Sequence, residues 1–303
     1  MTATVPRRPR RSLVPYALIA AAVLILLLGM GYPTVWQLVT SMQEFGLAQQ
    51  FGQAPEWVWF DNYVALATDG QFWLVLGKSL AFCIVAAVLT VAVGTALAVL
   101  MTAIGRVVRL ILQIALLLAW AMPVVAVMTV WVWLFDRRRG VVNYLLDLIP
   151  GVEMHQFEWL GNPLTFFLVA LVIIVWMSVP FVAFSLYAGL TQVSEEVMEA
   201  AQLDGASRWQ RFRLIIVPLI RPVLSIVLLL QLIWDLRVFT QFTLLQDAGG
   251  KGIDYDVLGT YIYKLGAGAG DFGAAAAVSI LMLLITIALS WFYIRSLMRE
   301  EPA

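Results

Sequence analysis

The residues that could do chemistry in this sequence are few, and their spacing excludes most reactions. His155 is the only histidine and Cys83 the only cysteine, so neither a metal cluster nor a Ser/His nucleophilic pair can be assembled, and no internal disulfide can close. A phosphate-cradling loop needs G-x-x-x-x-G-K-[ST]. The nearest approach, Gly249-Gly250-Lys251-Gly252, has Leu245 in place of the first glycine and Gly252 in place of the hydroxyl that would hold magnesium. Two clusters carry other possibilities. Gln231, Asp235, Arg237, Gln241 and Thr243 flank one end of an apolar run, where each polar group is costly unless it is satisfied or lines a wet path. Asp235 and Arg237 are two apart and do not face each other on a helix, so either the helix breaks there and lines a cavity or the two are interfacial charges in water. The second cluster, Glu199-Ala200-Ala201-Gln202-Leu203-Asp204-Gly205, is a charged island between long apolar stretches. Its small residues and terminal glycine suit a compact helix that seats in a partner's groove.

The elements that position these residues are membrane helices. The chain has 303 residues, of which 62% are hydrophobic and 13% charged, against about 25% charged in soluble domains. Apolar runs reach the ~20 residues needed to cross a ~30 Å hydrocarbon core. The pattern predicts an all-α, polytopic fold with six spans at about 13–42, 72–103, 108–135, 164–190, 214–234 and 272–295. The alternation expected of a membrane barrel is absent. Pro123 and Pro180 fall within the third and fourth spans and predict kinks or local breaks. Net charge is zero, so nothing points to nucleic acid.

Basic residues set the predicted orientation. With the N-terminus inside, Arg7, Arg8, Arg10, Arg11, Arg106, Arg109, Arg208, Arg211, Arg213, Arg221, Arg295 and Arg299 are cytoplasmic, twice as many as the outer Arg137, Arg138, Arg139, Arg237, Lys251 and Lys264. Lys78, within a span, is assigned to neither side. Both termini are therefore expected in the cytoplasm, with Arg137 to Arg139 as the contrary feature. The chain divides into a basic N-terminus at 1–12, a first span and outer loop at 13–70, a transmembrane core at 71–298 and a tail at 299–303.

From Trp176 the order of residues is Trp176, Pro180-Phe181, Ala188-Gly189-Leu190, Glu199-Ala200-Ala201, Asp204-Gly205-Ala206-Ser207, Phe212, Ile215, Pro218 and Pro222. This resembles the EAA loop region of permease subunits of carbohydrate ABC importers, the maltose and glycerol-phosphate type. Phe60-Asp61-Asn62-Tyr63 with Phe72-Trp73, Gly140 with Asn143-Tyr144-Leu145-Leu146, and Ala275-Ala276-Ala277-Val278-Ser279 are similar to further segments of that family. The matches extend over about residues 13–298. The Asp61-Asn62-Tyr63 segment and the short tail look more like the first permease of the usual heterodimer. The chain departs from the family's T-x-G-G-P stretch at Gln246–Gly252 and carries Val217 where leucine is usual.

The resemblance implies a type I ABC importer permease of the bacterial inner membrane, which is a transport subunit and not an enzyme. Its implied partners are a second homologous permease, two ATPase subunits that hold ATP and magnesium, membrane lipid, and an extracytoplasmic sugar-binding lipoprotein. Glu199, Ala200, Ala201, Asp204, Gly205, Phe212 and Pro218 would couple to the ATPase through the segment 195–222. Trp176, Tyr187, Gln231, Asp235, Arg237 and Ser279 are candidates for the path of a di- or oligosaccharide, since amide, charged and hydroxyl groups bond sugar hydroxyls and aromatic faces stack on sugar rings. The alternatives are the same machinery importing glycerol phosphate or a polyol derivative, or a secondary transporter.

Overall fold

The computed structural model describes residues 14–300. The N-terminal arginines Arg7, Arg8, Arg10 and Arg11 and the last residues of the tail lie outside the described residues. Helix α1 (Val14–Leu26), a π turn (Leu27–Gly31) and α2 (Tyr32–Thr40) form the first membrane-length element. Its apolar side chains, Leu24, Ile25, Leu28 and Met30 among them, are exposed, as a helix facing lipid or another subunit requires. Strands β1 (Gln43–Glu44) and β2 (Glu56–Trp57) pair antiparallel around α3 (Leu47–Gln50) and lead to α4 (Asp61–Thr68). The Asp61-Asn62-Tyr63 segment fastens this loop to the end of the first span. Asn62 Nδ2 donates to the Ser41 and Gln43 carbonyls at 3.0 Å each, and Tyr63 Oη lies 2.7 Å from Ser41 Oγ.

Helix α5 (Gly70–Ala103) opens on Asp69, whose carboxylate accepts from Gln71 N at 2.9 Å, an ordinary N-cap. Helices α6 (Arg106–Ala121) and α7 (Val124–Leu134) together satisfy the length of one span but meet at 101°. The break falls at Met122-Pro123, where proline lacks a donor and drives the preceding residue out of helical geometry. After α8 (Val141–Asp147), α9 (Pro163–Leu190) begins with Asn162 capping Leu164 N at 2.9 Å. It continues unbroken through the buried Pro180, so the break allowed for at that proline does not occur. Then follow α10 (Glu195–Leu203), α11 (Arg208–Arg211), a π turn (Phe212–Ile216) and α12 (Val217–Leu236). The last part comprises α13 (Thr240–Ala248), a short turn at Ile253–Tyr255, α14 (Leu258–Tyr263), a π turn (Lys264–Gly268) and α15 (Phe272–Glu300). Among the described residues, five helical stretches are long and apolar enough to cross a membrane, and six with the bent pair.

Helices α5 and α9 make the centre. Lipid tails are as apolar as leucine, so membrane helices adhere by close fit at small residues. Ala86, Ala87, Ala98, Ala170 and Ala183 are fully buried, and a Cβ placed on Gly94 would stand 2.5 Å from Val182 Cγ1. Phe82, Phe166, Phe167, Phe242 and Tyr255 meet edge to face near the end of the bundle remote from α10. At the same end Asp256, 1% exposed, accepts from Gln246, Thr260 and Lys264 through one oxygen at 3.0, 3.0 and 2.7 Å. Leu258 N donates to Ser79 Oγ at 2.8 Å, fixing the segment after α13 on α5.

The arginine run at the end of α7 is a tight turn. Asp136 Oδ1 accepts from Arg138 N and Arg139 N at 2.9 and 2.7 Å, which holds its carboxyl below the usual range. Arg137 reaches Gln156 O at 3.1 Å and Glu158 at 3.5 Å.

Replacing Gly94 by leucine forces α5 and α9 apart along their seam. The expected cost is about 1–3 kcal/mol, read as a lower midpoint in thermal unfolding of the detergent-solubilised protein, whereas Gly77→Leu, at a site with nothing within 4 Å, leaves the midpoint unchanged.

Candidate functional site

Two sites lie at opposite ends of the same helices. The first is the loop between α9 and α12. Ser194 precedes α10, which ends at Leu203 with Asp204 as its C-cap. Gly205 follows at φ +79, in the left-handed region that a side chain disfavours. Gly205 N and Ala206 N return to the Gln202 and Ala201 carbonyls at 3.1 and 3.0 Å, closing the helix. Ser207 and Gln210 then cap the next turn reciprocally, Ser207 N donating to Gln210 Oε1 at 2.8 Å and Gln210 N to Ser207 Oγ at 3.3 Å. Arg211 Nη1 donates to Gln202 Oε1 at 3.1 Å, tying α10 to the base of α12.

The faces of α10 differ. Met198, Glu199 and Gln202 border a pocket of about 300 Å³ shared with Val99 and Thr102 of α5, Leu190 and Arg211. Ala200, Asp204 and Gly205 are exposed, and Ala201 is half-buried. Among the described residues, its chain neighbours apart, no atom lies within 4 Å of a Cβ position on Gly205. Leu203, next to them, is 89% exposed, and Trp209, stacked on Phe212 at 5.7 Å, is also exposed. Sequence reading singled out neither Leu203 nor Trp209 for this role, although an apolar side chain at the end of a charged, looped helix was a usable signal. Pro218 is exposed at the start of α12, just after the π turn.

The second site is at the far end of α12. The helix stops at Leu236, and the chain turns through Arg237–Phe239 into α13. A pocket of about 240 Å³ opens between this turn and α9, lined by Ile174, Met177, Ser178, Trp234, Asp235, Arg237, Val238, Phe239, Thr240 and Gln241. Asp235 is 3% exposed, whereas Arg237 is exposed. The helix ends beside this pair, and both residues border the pocket. Trp234 also meets Phe181 edge to face at 5.0 Å. The arrangement offers a carboxylate, a guanidinium, an amide and two hydroxyls beside two aromatic rings, a donor set suited to a polyhydroxylated molecule.

The other expected path residues are not in this pocket. Gln231, one turn below Asp235, is wholly buried, and its amide has no hydrogen-bond partner among the described residues. Trp176 packs against Trp131 at 5.6 Å and does not line the pocket. Tyr187 is ten residues beyond Met177, about 15 Å further along α9. Its hydroxyl accepts from Arg109 Nη1 at 3.1 Å, with the guanidinium 5.8 Å from the ring centre. Ser279 donates to Ala275 O at 2.9 Å and borders a separate groove with Trp36, Thr40 and Phe272. Ser178 and Thr240, which do line the pocket, were not marked by the sequence, because neither stands out from an ordinary span or turn.

Comparison with known proteins agrees with this geometry. Residues 90–295 match the family model described as binding-protein-dependent transport system inner membrane component. The diacetylchitobiose uptake system permease protein of Streptomyces coelicolor is 40% identical over 290 residues, 96% of this chain and 88% of that protein. The trehalose/maltose transport system permease protein of Thermococcus litoralis is 30% identical over 236 residues, 77% of each. A bacterial ABC transporter involved in importing the acidic polysaccharide alginate has a chain of the same fold, with TM-score 0.81 and 24% identity over 96% of this chain and 97% of that one. The chain therefore belongs to the binding-protein-dependent transport system inner membrane components, as a multi-pass permease subunit of an ABC importer.

Proposed function

We propose that this permease carries a neutral di- or oligosaccharide, delivered by an extracytoplasmic binding protein, through a path that includes the pocket at the end of α12. The observation that carries the reading is the buried Asp235 carboxylate beside Trp234 and Phe239. A carboxylate accepts from sugar hydroxyls and a guanidinium donates to them, while the rings stack on sugar faces. The diacetylchitobiose and trehalose/maltose permeases among the relatives support the same cargo class. A second, homologous permease would close the path from the other side. Two cytoplasmic ATPase subunits would bind ATP and magnesium, for which this chain has no phosphate loop.

Energy would enter through α10. Its exposed face, with Ala200, Leu203 and Gly205, suits a groove in an ATPase subunit, and the return of α10 to α12 through Arg211 would transmit the groove's movement to the span. The beginning of α1 and the end of α15 would then be cytoplasmic.

Uptake of labelled oligosaccharide by cells, with ATPase activity measured on the purified assembly, tests both sites. Asp235→Leu is expected to lower uptake at least tenfold while the assembly forms and hydrolyses ATP; uptake at the wild-type rate would remove Asp235 from the path. Glycerol phosphate in excess should not compete, and competition would favour the anionic cargo instead. At the other end, Gly205→Asp is expected to abolish uptake and stimulated ATP hydrolysis with membrane insertion intact, and Leu203→Asp to weaken recovery of the ATPase with the permease by tenfold or more. Normal uptake in Gly205→Asp would reject docking through α10.

A further inference from the structure

Lys78 lies in the first third of α5, and it belongs to neither site. Helix α5 has 34 residues and is about 51 Å long, against a hydrocarbon core of ~30 Å. Its ends therefore stand in the headgroup layers. Lys78, eight residues from Gly70, is about 12 Å along the helix, at the level where polar headgroups meet acyl chains. Its ammonium donates to Ile253 O at 2.7 Å and lies 6.0 Å from the Phe167 ring centre. Among the described residues no carboxylate forms an ion pair with it, so donors remain for an outside acceptor.

Below Lys78 runs an open groove of about 550 Å³ between α5 and α9. Its walls include Ala81, Phe82 and Val85 on one side and Leu164, Phe167 and Leu168 on the other. Val85, Leu164 and Leu168 are exposed, Leu164 to 80%, so the groove faces outward from the bundle. The exposed carboxylate of Asp254 stands at the same end as Lys78. One ammonium and one carboxylate above an apolar trough match the phosphate and the amine of a zwitterionic headgroup above an acyl chain.

We propose that this groove is a binding site for a phospholipid with an ethanolamine headgroup. The phosphate pairs with Lys78, the amine with Asp254, and one acyl chain lies between α5 and α9. The lipid would stabilise the contact between the end of α5 and the Ile253–Asp256 segment, because Lys78 holds both the phosphate and the Ile253 carbonyl.

The test is native mass spectrometry of the full-length protein, with the subunits that accompany it, exchanged into bilayers of equal phosphatidylethanolamine and phosphatidylglycerol. Wild type is expected to retain phosphatidylethanolamine in preference. Lys78→Met should lower retained lipid at least fivefold, and Asp254→Asn should abolish the preference while lipid is still held. Leu168→Trp, which fills the groove from an exposed position without touching either charge, should also lower retention. Retention unchanged by Lys78→Met and Leu168→Trp, or equal retention of the two lipids by wild type, would overturn the proposal. So would a photo-crosslinker at Val85 that captures a second protein chain, since the groove would then be a subunit contact.

Discussion

The close approach of α5 and α9 at Gly94 and Val182 is the contact on which the other features rest. With no hydrophobic driving force between helices in lipid, adhesion depends on fit, and the alanines buried along the two helices provide that fit over most of their length. Helix α12 packs on both members of this pair, with Cys83 Sγ of α5 3.1 Å from Leu232 O. The pocket at the end of α12 needs α9 at one fixed height, because Met177 and Ser178 must face Asp235 and Thr240. The loop at the other end needs the same register, since Val99 and Thr102 of α5 share one pocket with Glu199 and Gln202 of α10.

This arrangement places the two sites on shared rigid bodies. Helix α9 runs from the pocket to the start of α10, and α12 runs back from the loop to the pocket. The loop and the pocket are thereby joined by two lengths of helix backbone. The π turn at Phe212–Ile216 and the prolines at 218 and 222 sit where this rod joins the loop. Their missing or displaced hydrogen bonds put the compliance at the joint, leaving the rest of α12 stiff.

Much of this was legible in the residues. Long apolar runs specify spans because lipid permits little else, and Pro123 marked the sharp bend. Gly205 marked the end of a compact helix, and the structure ends α10 there in a left-handed turn. The pocket was only half legible. Asp235 and Arg237 stood out because charge at a span end is costly, but Ser178 and Thr240 are unremarkable in a linear reading. Tyr187 and Ser279 were grouped with them because composition shows which residues suit a sugar, while height along α9 and the choice of neighbouring helix depend on packing. Leu203 was passed over although its place at the end of a charged helix was a signal, and its 89% exposure is seen only once the helix is folded.

The bend between α6 and α7 has a consequence for parity. At its start Arg109 holds Tyr187, near the end of α9 that leads to α10. At its finish Arg137 holds Glu158, just before the beginning of α9. The two anchors are tied to opposite ends of one continuous helix, so this stretch reaches from one end of the bundle to the other in spite of its right-angled path. Counted as one span, it makes the number of membrane-length stretches among the described residues six, an even number.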